Sequence, residues 1–203
     1  MSEYGIGATT VGLRQKNFVI LASEKRISYG GFVLSKSGKK VYKITDYMGI
    51  AGAGLFADIQ ILSRIIAAEL EYQRLTMGRK PTIKAAAKLL AVILYSHKYL
   101  PYLSELLVGG IEEDGTTRLY VMDPLGSLIE DDYAAIGSGA PIAIGVLERG
   151  YHSNLSLEEA KKLVIDAMRA ALERDPISGD GVDILIIKRE DGRVSSSEET
   201  LRF

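Results

Sequence analysis

One change of periodicity decides the fold of this chain, in the stretch MGIAGAGLFADIQILSRIIAAELEYQRLTM at residues 48–77. The first six residues are small or apolar and alternate with glycine, which is typical of a short buried strand. From residue 55 onward, apolar side chains recur at the spacing of one helix face, at Ile59, Leu62, Ile65, Ile66 and Leu70. The stretch therefore predicts a strand at 48–53 followed directly by a helix at 55–77.

The same two patterns divide the rest of the chain. Towards the N-terminus, β-branched and apolar runs predict strands at 9–13, 18–22 and 40–44 and a hairpin at 27–34. After Gly78 and Pro81, a second apolar stripe predicts another helix, also of about 20 residues. Strands follow at 105–111, 118–122 and 127–136, then helices at 142–149 and 156–174, a strand at 182–188 and a polar strand or tail. Ser156 and Glu159 have the spacing of a capping box at the start of the last helix.

The order of these elements indicates an α+β fold. It runs sheet, two helices, sheet, two helices, sheet, with no linker or internal repeat. Two antiparallel sheets can bury one face against each other, and the helices then cover the outer faces. The chain of 203 residues is long enough for one domain with a sizeable core. The pattern therefore predicts a single-domain, four-layer αββα sandwich.

The composition narrows the chemistry that the chain can perform. With 25 Lys and Arg against 26 Asp and Glu, it lacks the basic excess that is typical of nucleic-acid-binding proteins. It has no cysteine, which excludes disulfides, a thiolate nucleophile and a thiolate zinc site. Two histidines leave little room for a histidine metal centre, so we expect no metal and no cofactor. The nucleophile of an enzyme with this composition must be an oxygen or an amine.

The sequence contains neither a secretory signal nor an apolar run of the roughly 20 residues that span a bilayer. We therefore expect a cytoplasmic protein with no membrane contact.

Seven short segments carry a resemblance to a known family. They are ATTVG at 8–12, ASEKR at 22–26, SGKK at 37–40, AGLFAD at 53–58, LVGG at 107–110, GSGAP at 137–141 and RDPISG at 174–179. Together and in this order, they resemble the β subunits of the proteasome core particle, most closely the archaeal type. The resemblance covers essentially the whole chain from residue 8. This family belongs to the N-terminal nucleophile hydrolases, so the resemblance implies the αββα sandwich as well.

The family cleaves peptide bonds with the hydroxyl of an N-terminal threonine, whose own α-amine accepts the proton. A short leader ending in glycine is removed first. The resemblance places this leader at 1–7, its cleavage between Gly7 and Ala8, and the catalytic domain at 8–203. Alignment on Val11 and Gly12 puts Ala8 at the nucleophile position. Alanine has no hydroxyl, so we expect this chain neither to remove its leader nor to hydrolyse peptides.

Three explanations of Ala8 are open at this point. Alanine is a deliberate replacement of the threonine, or the chain is a natural non-catalytic subunit, or Thr9 is the nucleophile and the register is shifted by one residue. The shifted register is disfavoured because successive side chains of a strand point to opposite faces. The hydroxyl of Thr9 would then point away from the site.

The resemblance also assigns the other site residues. Those at the family's catalytic positions are Glu24, Lys40, Ser138, Asp175 and Ser178; Gly54 would present the N–H of the oxyanion hole, and Ile27, Gly52 and Phe56 would lie near the substrate pocket. The Lys40 ammonium would lie beside the nucleophile oxygen and favour loss of its proton. The resemblance makes Glu24 the candidate partner of Lys40. The family more often has aspartate there, and glutamate keeps the charge but changes the reach. The apolar pocket predicts cleavage after large apolar residues once threonine stands at position 8.

Without the resemblance, these residue types have ordinary interpretations. Lysines and glutamates are usually solvated, Asp-Pro begins turns, and serine after glycine caps helices.

The resemblance further implies the assembly and its partners. Proteasome β subunits form seven-membered rings, two of which are stacked between two rings of α subunits (α7β7β7α7). The sites then face an inner chamber that receives unfolded polypeptide, which an ATP-driven unfoldase supplies. Two alternatives are kept open: a structural ring subunit without activity, and an N-terminal nucleophile amidohydrolase that acts on a small amide. An α-type subunit is disfavoured, because the short segment before Ala8 cannot supply its N-terminal helix.

Overall fold

The computed structural model describes residues 7–202, so residues 1–6 of the predicted leader and Phe203 lie outside the described residues. The described residues form four helices: α1 Phe56–Met77, α2 Ile83–Ser96, α3 Ala140–Gly150 and α4 Leu157–Arg174. Their strands are β1 Thr9–Arg14, β2 Phe18–Glu24, β3 Ile27–Tyr29, β4 Phe32–Ser35, β5 Val41–Thr45, β6 Met48–Gly54, β7 Ser104–Ile111, β8 Thr117–Met122, β9 Ile129–Glu130, β10 Tyr133–Gly137, β11 Val182–Glu190 and β12 Arg193–Leu201.

Two five-stranded antiparallel sheets are stacked face to face. The first has the strand order β10-β1-β2-β11-β12, and the second has the order β5-β6-β7-β8-β9. β3 and β4 form a separate hairpin beside them. The strand β2 is therefore the central strand of one sheet, and β1 and β6 are each the second strand from an edge of their sheets.

Three groups of apolar side chains fill the spaces between the layers. Leu21 and Leu107 belong to the cluster between the two sheets. Val164 belongs to the cluster that α3 and α4 form on the outer face of the first sheet. Leu62 and Leu90 belong to the cluster that α1 and α2 form on the second sheet. This confirms the predicted αββα sandwich.

Two predicted elements differ from the structure. The strand predicted at 127–136 is two strands in different sheets, because the chain crosses between the sheets at Asp131 and Asp132. The amide of Asp131 donates to β8 at Leu119 O, whereas Asp132 O accepts from the amide of Arg14 on β1. The second helix has 14 residues and not about 20. It ends at His97, before a series of turns that leads to Pro101.

Helix α4 places the loop that follows it at one end of the first sheet. The predicted capping box is present: Ser156 Oγ accepts from the amide of Glu159, and the Glu159 carboxylate accepts from the amide of Ser156. The helix ends at Asp175, whose amide donates to Ala171 O. The loop at 175–181 then runs back into β11, next to the end of β2.

Candidate active site

A buried ion pair lies where β2 ends and β5 begins. The Lys40 ammonium donates to the Glu24 carboxylate, and the two side chains are 2% and 0% exposed. Lys40 Nζ also donates to Arg26 O at 2.5 Å and to Glu24 O at 3.3 Å. Burial raises the pKa of Glu24 and lowers the pKa of Lys40, and the attraction between the two charges opposes both shifts. Lys40 is thus a desolvated cation with its hydrogen bonds directed by the surrounding backbone.

The Glu24 carboxylate also holds two backbone segments in place. Its second oxygen, Oε2, accepts from the amide of Arg26 at 2.6 Å and from the amide of Gly179 at 3.1 Å. Glu24 is therefore long enough to bind Lys40 and, at the same time, the loop that follows α4. This loop is fastened a second time by the ion pair between Arg26 and Asp180, at 2.7 Å.

The buried carboxylate of Asp175 is the centre of a second network, which reaches the exposed Ser138. Its Oδ2 accepts from Ser138 Oγ and from Ser178 Oγ, each at 2.6 Å, and its Oδ1 accepts from the amide of Ile177 at 3.1 Å. Ser138 lies between β10 and α3, so the carboxylate joins two loops that are distant in the sequence. Ser138 Oγ also lies 3.2 Å from the carbonyl oxygen of Ala8. The network therefore contacts the backbone of the predicted nucleophile position.

Ala8 is fully buried directly before β1, in the cluster between the two sheets. The next residue, Thr9, is also buried, but its Oγ1 is 2.7 Å from Ser178 Oγ. Thr10 points back between the sheets, where its Oγ1 donates to Gly52 O. The side chains thus alternate across the strand as expected. Thr9 lies on the other side of β1 from Ala8, which argues against the shifted register.

A cavity of about 210 Å³ lies beside Lys40. Gly7, Lys40 and Gly54 line it together with the predicted pocket residues Ile27 and Phe56. The remaining lining residues are Arg26, Ser28, Tyr29, Leu34 and Leu55. The structure therefore brings the residue before Ala8, the site lysine and the predicted oxyanion glycine to one space.

Gly54 ends β6 with a φ of +117°. A Cβ on this residue would lie 2.2 Å from Leu103 O, so no residue larger than glycine fits here without displacing the backbone. The close approach explains why glycine occupies this position at the cavity.

Gly52 does not line the cavity, unlike the prediction for this residue. The position of a Cβ on Gly52 faces Ile59, 2.8 Å from its Cγ2. Side chains at 52 and 54 point to the same side of a regular strand, but β6 ends at Gly54 with a positive φ, and the two positions diverge there.

Comparison with known proteins decides the family. Residues 5–187 match the family model described as "Proteasome subunit". The chain belongs to the proteasome subunit family. Proteasome subunit beta 1 of Hyperthermus butylicus is 63% identical to it over 199 residues, which cover 98% of each chain.

Two further relatives agree with this assignment. Proteasome subunit beta 2 of Pyrobaculum arsenaticum is 51% identical over 185 residues, 91% of each chain. Proteasome subunit beta 2 of Caldivirga maquilingensis is 51% identical over 179 residues, 88% of this chain and 89% of the relative. This proteasome subunit is thus of the archaeal β type, and its family is one of peptidase subunits that assemble with other subunits into core particles.

Sequence reasoning missed three polar groups of the proteasome subunit. Thr10, Ser23 and Asp180 contact the strands or loops that carry the predicted site residues. The first two were detectable as hydroxyl residues within strands that are predicted from β-branched and apolar runs. Asp180 left no such signal, since it precedes Gly181 as in an ordinary turn.

Residues 7–202 of this proteasome subunit contain no group of three or more His, Asp or Glu side chains arranged to hold a metal ion. In the same range, no helix combines the length and the apolar character that crossing a membrane requires.

Proposed function

We propose that this chain is a β subunit of a proteasome core particle that keeps the family's threonine-peptidase site but not its nucleophile. One observation carries the proposal. Ala8, with only a methyl group, stands at the nucleophile position, while the buried side chains of Glu24, Lys40, Asp175 and Ser178 and the exposed side chain of Ser138 keep their hydrogen bonds to one another. As written, the chain would neither cut between Gly7 and Ala8 nor hydrolyse polypeptides.

The geometry supports a specific division of labour if threonine is present at position 8. The α-amine of that threonine would act as the base for its own hydroxyl, as in other N-terminal threonine enzymes. The Lys40 ammonium, oriented by Glu24 and Arg26 O, would stabilise the developing oxygen anion. Asp175, which accepts the single hydroxyl proton of Ser138, would hold that serine against the backbone of residue 8. Gly54 would supply the N–H that binds the oxyanion of the substrate.

The cavity beside Lys40 would receive the substrate side chain before the cleaved bond. Ile27 and Phe56 give it apolar walls. The volume of about 210 Å³ suits a large apolar side chain. We therefore propose cleavage after large apolar residues for a chain with threonine at position 8.

The proposed role of the chain with Ala8 is structural. It would occupy places in heptameric β rings between two rings of α subunits (α7β7β7α7), in the cytoplasm, with an ATP-dependent unfoldase delivering polypeptides to the chamber. Family membership supports assembly into core particles. The alternative of a free amidohydrolase for a small amide has no such support, because the family and the named relatives are all proteasome subunits.

Ala8→Thr tests the proposal, and Ala8→Val is its matched control. Valine has nearly the shape of threonine but no hydroxyl, so it separates the chemistry from the packing around position 8. Each variant is assembled with its α subunit. N-terminal sequencing then shows whether the bond after Gly7 is cut, and fluorogenic peptides ending in large apolar, acidic or basic residues report turnover.

We expect Ala8→Thr to lose residues 1–7 and to cleave after large apolar residues, whereas Ala8→Val does neither. If Ala8→Thr keeps its leader and cuts no peptide, the site is not a threonine peptidase that lacks one group. Preferential cleavage after acidic or basic residues would contradict the assignment of the pocket. A small free oligomer that hydrolyses a small amide would contradict the proposed assembly.

A further inference from the structure

Two buried hydroxyls face the space between the sheets next to the site. Thr10 on β1 and Ser23 on β2 are directly opposite each other in the strand register, and both are fully buried. Their neighbours on this side of the strands are apolar, including Leu21 and Ala53. Burying a hydroxyl costs free energy unless it is hydrogen-bonded, so the pair needs a reason other than packing.

The hydrogen bonds of the pair have one consistent arrangement. Thr10 Oγ1 donates its single proton to Gly52 O at 2.8 Å, across the gap between the two sheets. Thr10 Oγ1 must then be the acceptor in its 2.7 Å contact with Ser23 Oγ. Ser23 Oγ is also 3.3 Å from Thr9 O, a longer and weaker contact. Ser23 therefore fixes the direction in which Thr10 donates.

Gly52, whose carbonyl accepts from Thr10, connects to both other parts of the site through its own amide and through the strand. The amide of Gly52 donates to Lys40 O at 3.0 Å, so the Gly52 backbone holds the strand segment that carries the site lysine. Gly54 follows two residues later on the same strand. Thr10 itself follows Ala8 by two residues and points to the same side of the chain. Through the Gly52 backbone, one side-chain hydrogen bond thus links the strand that follows residue 8 to the segment of Lys40 and to the strand that ends at Gly54.

We infer that Thr10 is a positioning residue of the site and that Ser23 orients its hydroxyl. Thr10 contacts no substrate; it sets how far the residue at position 8 stands from the lysine and from the oxyanion N–H. This inference rests on the proposed function, since it concerns a threonine peptidase restored by Ala8→Thr. A displacement of about 1 Å in such a site costs up to about a hundredfold in rate.

Thr10→Val and Thr10→Ser in the Ala8→Thr background, assembled with the α subunit, test the inference. Valine keeps the shape of threonine without the hydroxyl, and serine keeps the hydroxyl. We expect Thr10→Val to lower kcat at least about tenfold with KM changed less than about twofold, because alignment is lost but the pocket is kept. Thr10→Ser should restore kcat to within about threefold. Ser23→Ala should cause a loss of the same kind and serves if Thr10→Val does not assemble.

A loss of stability alone would give a different result: a lower melting temperature with unchanged kcat per assembled site. That result overturns the inference, and so does a serine variant that fails to restore the rate.

Hydrogen exchange in the chain with Ala8 keeps this test separate from the proposed function. If Ala8→Thr is inactive, the proposed function fails, but Thr10→Val should still speed exchange of the amides at 52–54 by about threefold to tenfold, whereas Thr10→Ser should not. Unchanged exchange in Thr10→Val would show that the Thr10 bond does not hold the Gly52 backbone.

Discussion

Replacing Lys40 by methionine should destabilise the fold far more than the same change at Lys39. Methionine is about as long as lysine but leaves the Glu24 carboxylate buried without a counter-ion. Two backbone donors remain, the amides of Arg26 and Gly179. Removing one partner of a buried ion pair costs about 3–5 kcal/mol. Lys39 pairs with Glu198 at 2.9 Å, but both side chains are about half exposed, so its loss should cost about 0–1 kcal/mol.

The double variant Glu24→Gln with Lys40→Met separates the pair from its packing. Glutamine is neutral and still offers an oxygen to the amides of Arg26 and Gly179. We expect the double variant to be at least about 2 kcal/mol more stable than the sum of the two single effects predicts. The parent chain is well suited to this measurement, since Ala8 removes the catalytic requirement for Lys40.

The cost of Lys40→Met should also depend on pH. Burial raises the pKa of Glu24 above its ordinary value of 4.5. Between pH 4.5 and this raised pKa, the native chain binds more protons than the unfolded chain. Stability then falls as the pH rises through this window. Removing Lys40 removes the charge that lowers the pKa of Glu24, which extends the window upward. The gap between Lys40→Met and the parent should therefore be small in acid and grow towards neutral pH.

Guanidinium unfolding of the full chain, followed by far-ultraviolet circular dichroism between pH 4 and pH 8, measures these free energies. Three results would refute the reasoning. They are a cost of Lys40→Met no larger than that of Lys39→Met, strict additivity in the double variant, and a gap that shrinks as the pH rises.

Two further predictions concern the site. Burial lowers the pKa of Lys40 below its ordinary 10.5, so the peptidase activity of Ala8→Thr should begin to fall at an alkaline pH below 10.5. A kcat that stays level up to that pH would contradict the role of the ammonium. Gly54→Ala should destabilise the fold by at least about 2 kcal/mol, because the φ of +117° is strained for alanine and its Cβ would meet Leu103 O. Gly192→Ala is the control, because Gly192 also has a positive φ but a Cβ on it would have no other atom within 4 Å. Equal shifts of the two unfolding midpoints would show that the contact at Gly54 is not rigid.

Most of the fold could be predicted because its signals are local. The helix at 56–77 follows from apolar spacing within one segment, and the capping box at Ser156 follows from two residues three positions apart. The strand at 127–136 could not be divided in this way. Its break at Asp131 and Asp132 depends on partners on β8 and β1, which lie in different sheets. No pattern within the segment reports on those partners.

The residue types of the site could be predicted from the sequence, but the burial and the contacts of each residue could not. By residue type alone, Lys39 and Lys40 are equivalent; in the structure the first is half exposed and the second is buried against Glu24. Gly52 was expected to lie near the substrate pocket, and its backbone instead joins Thr10 to Lys40. Both differences come from contacts between strands of different sheets.

The sequence by itself determined the chemistry that is present or missing. It contains no cysteine, and its residue at position 8 has no hydroxyl; no folding can supply either group. The tertiary structure alone decided which ordinary residues become a site. Gly179 reaches Glu24 across 155 positions of the chain, and Ser178 reaches Thr9 across 169. Burial removes water from charges and hydroxyls only where such distant segments pack together, so their pKa values and hydrogen bonds are properties of the packed sheets and not of any one segment.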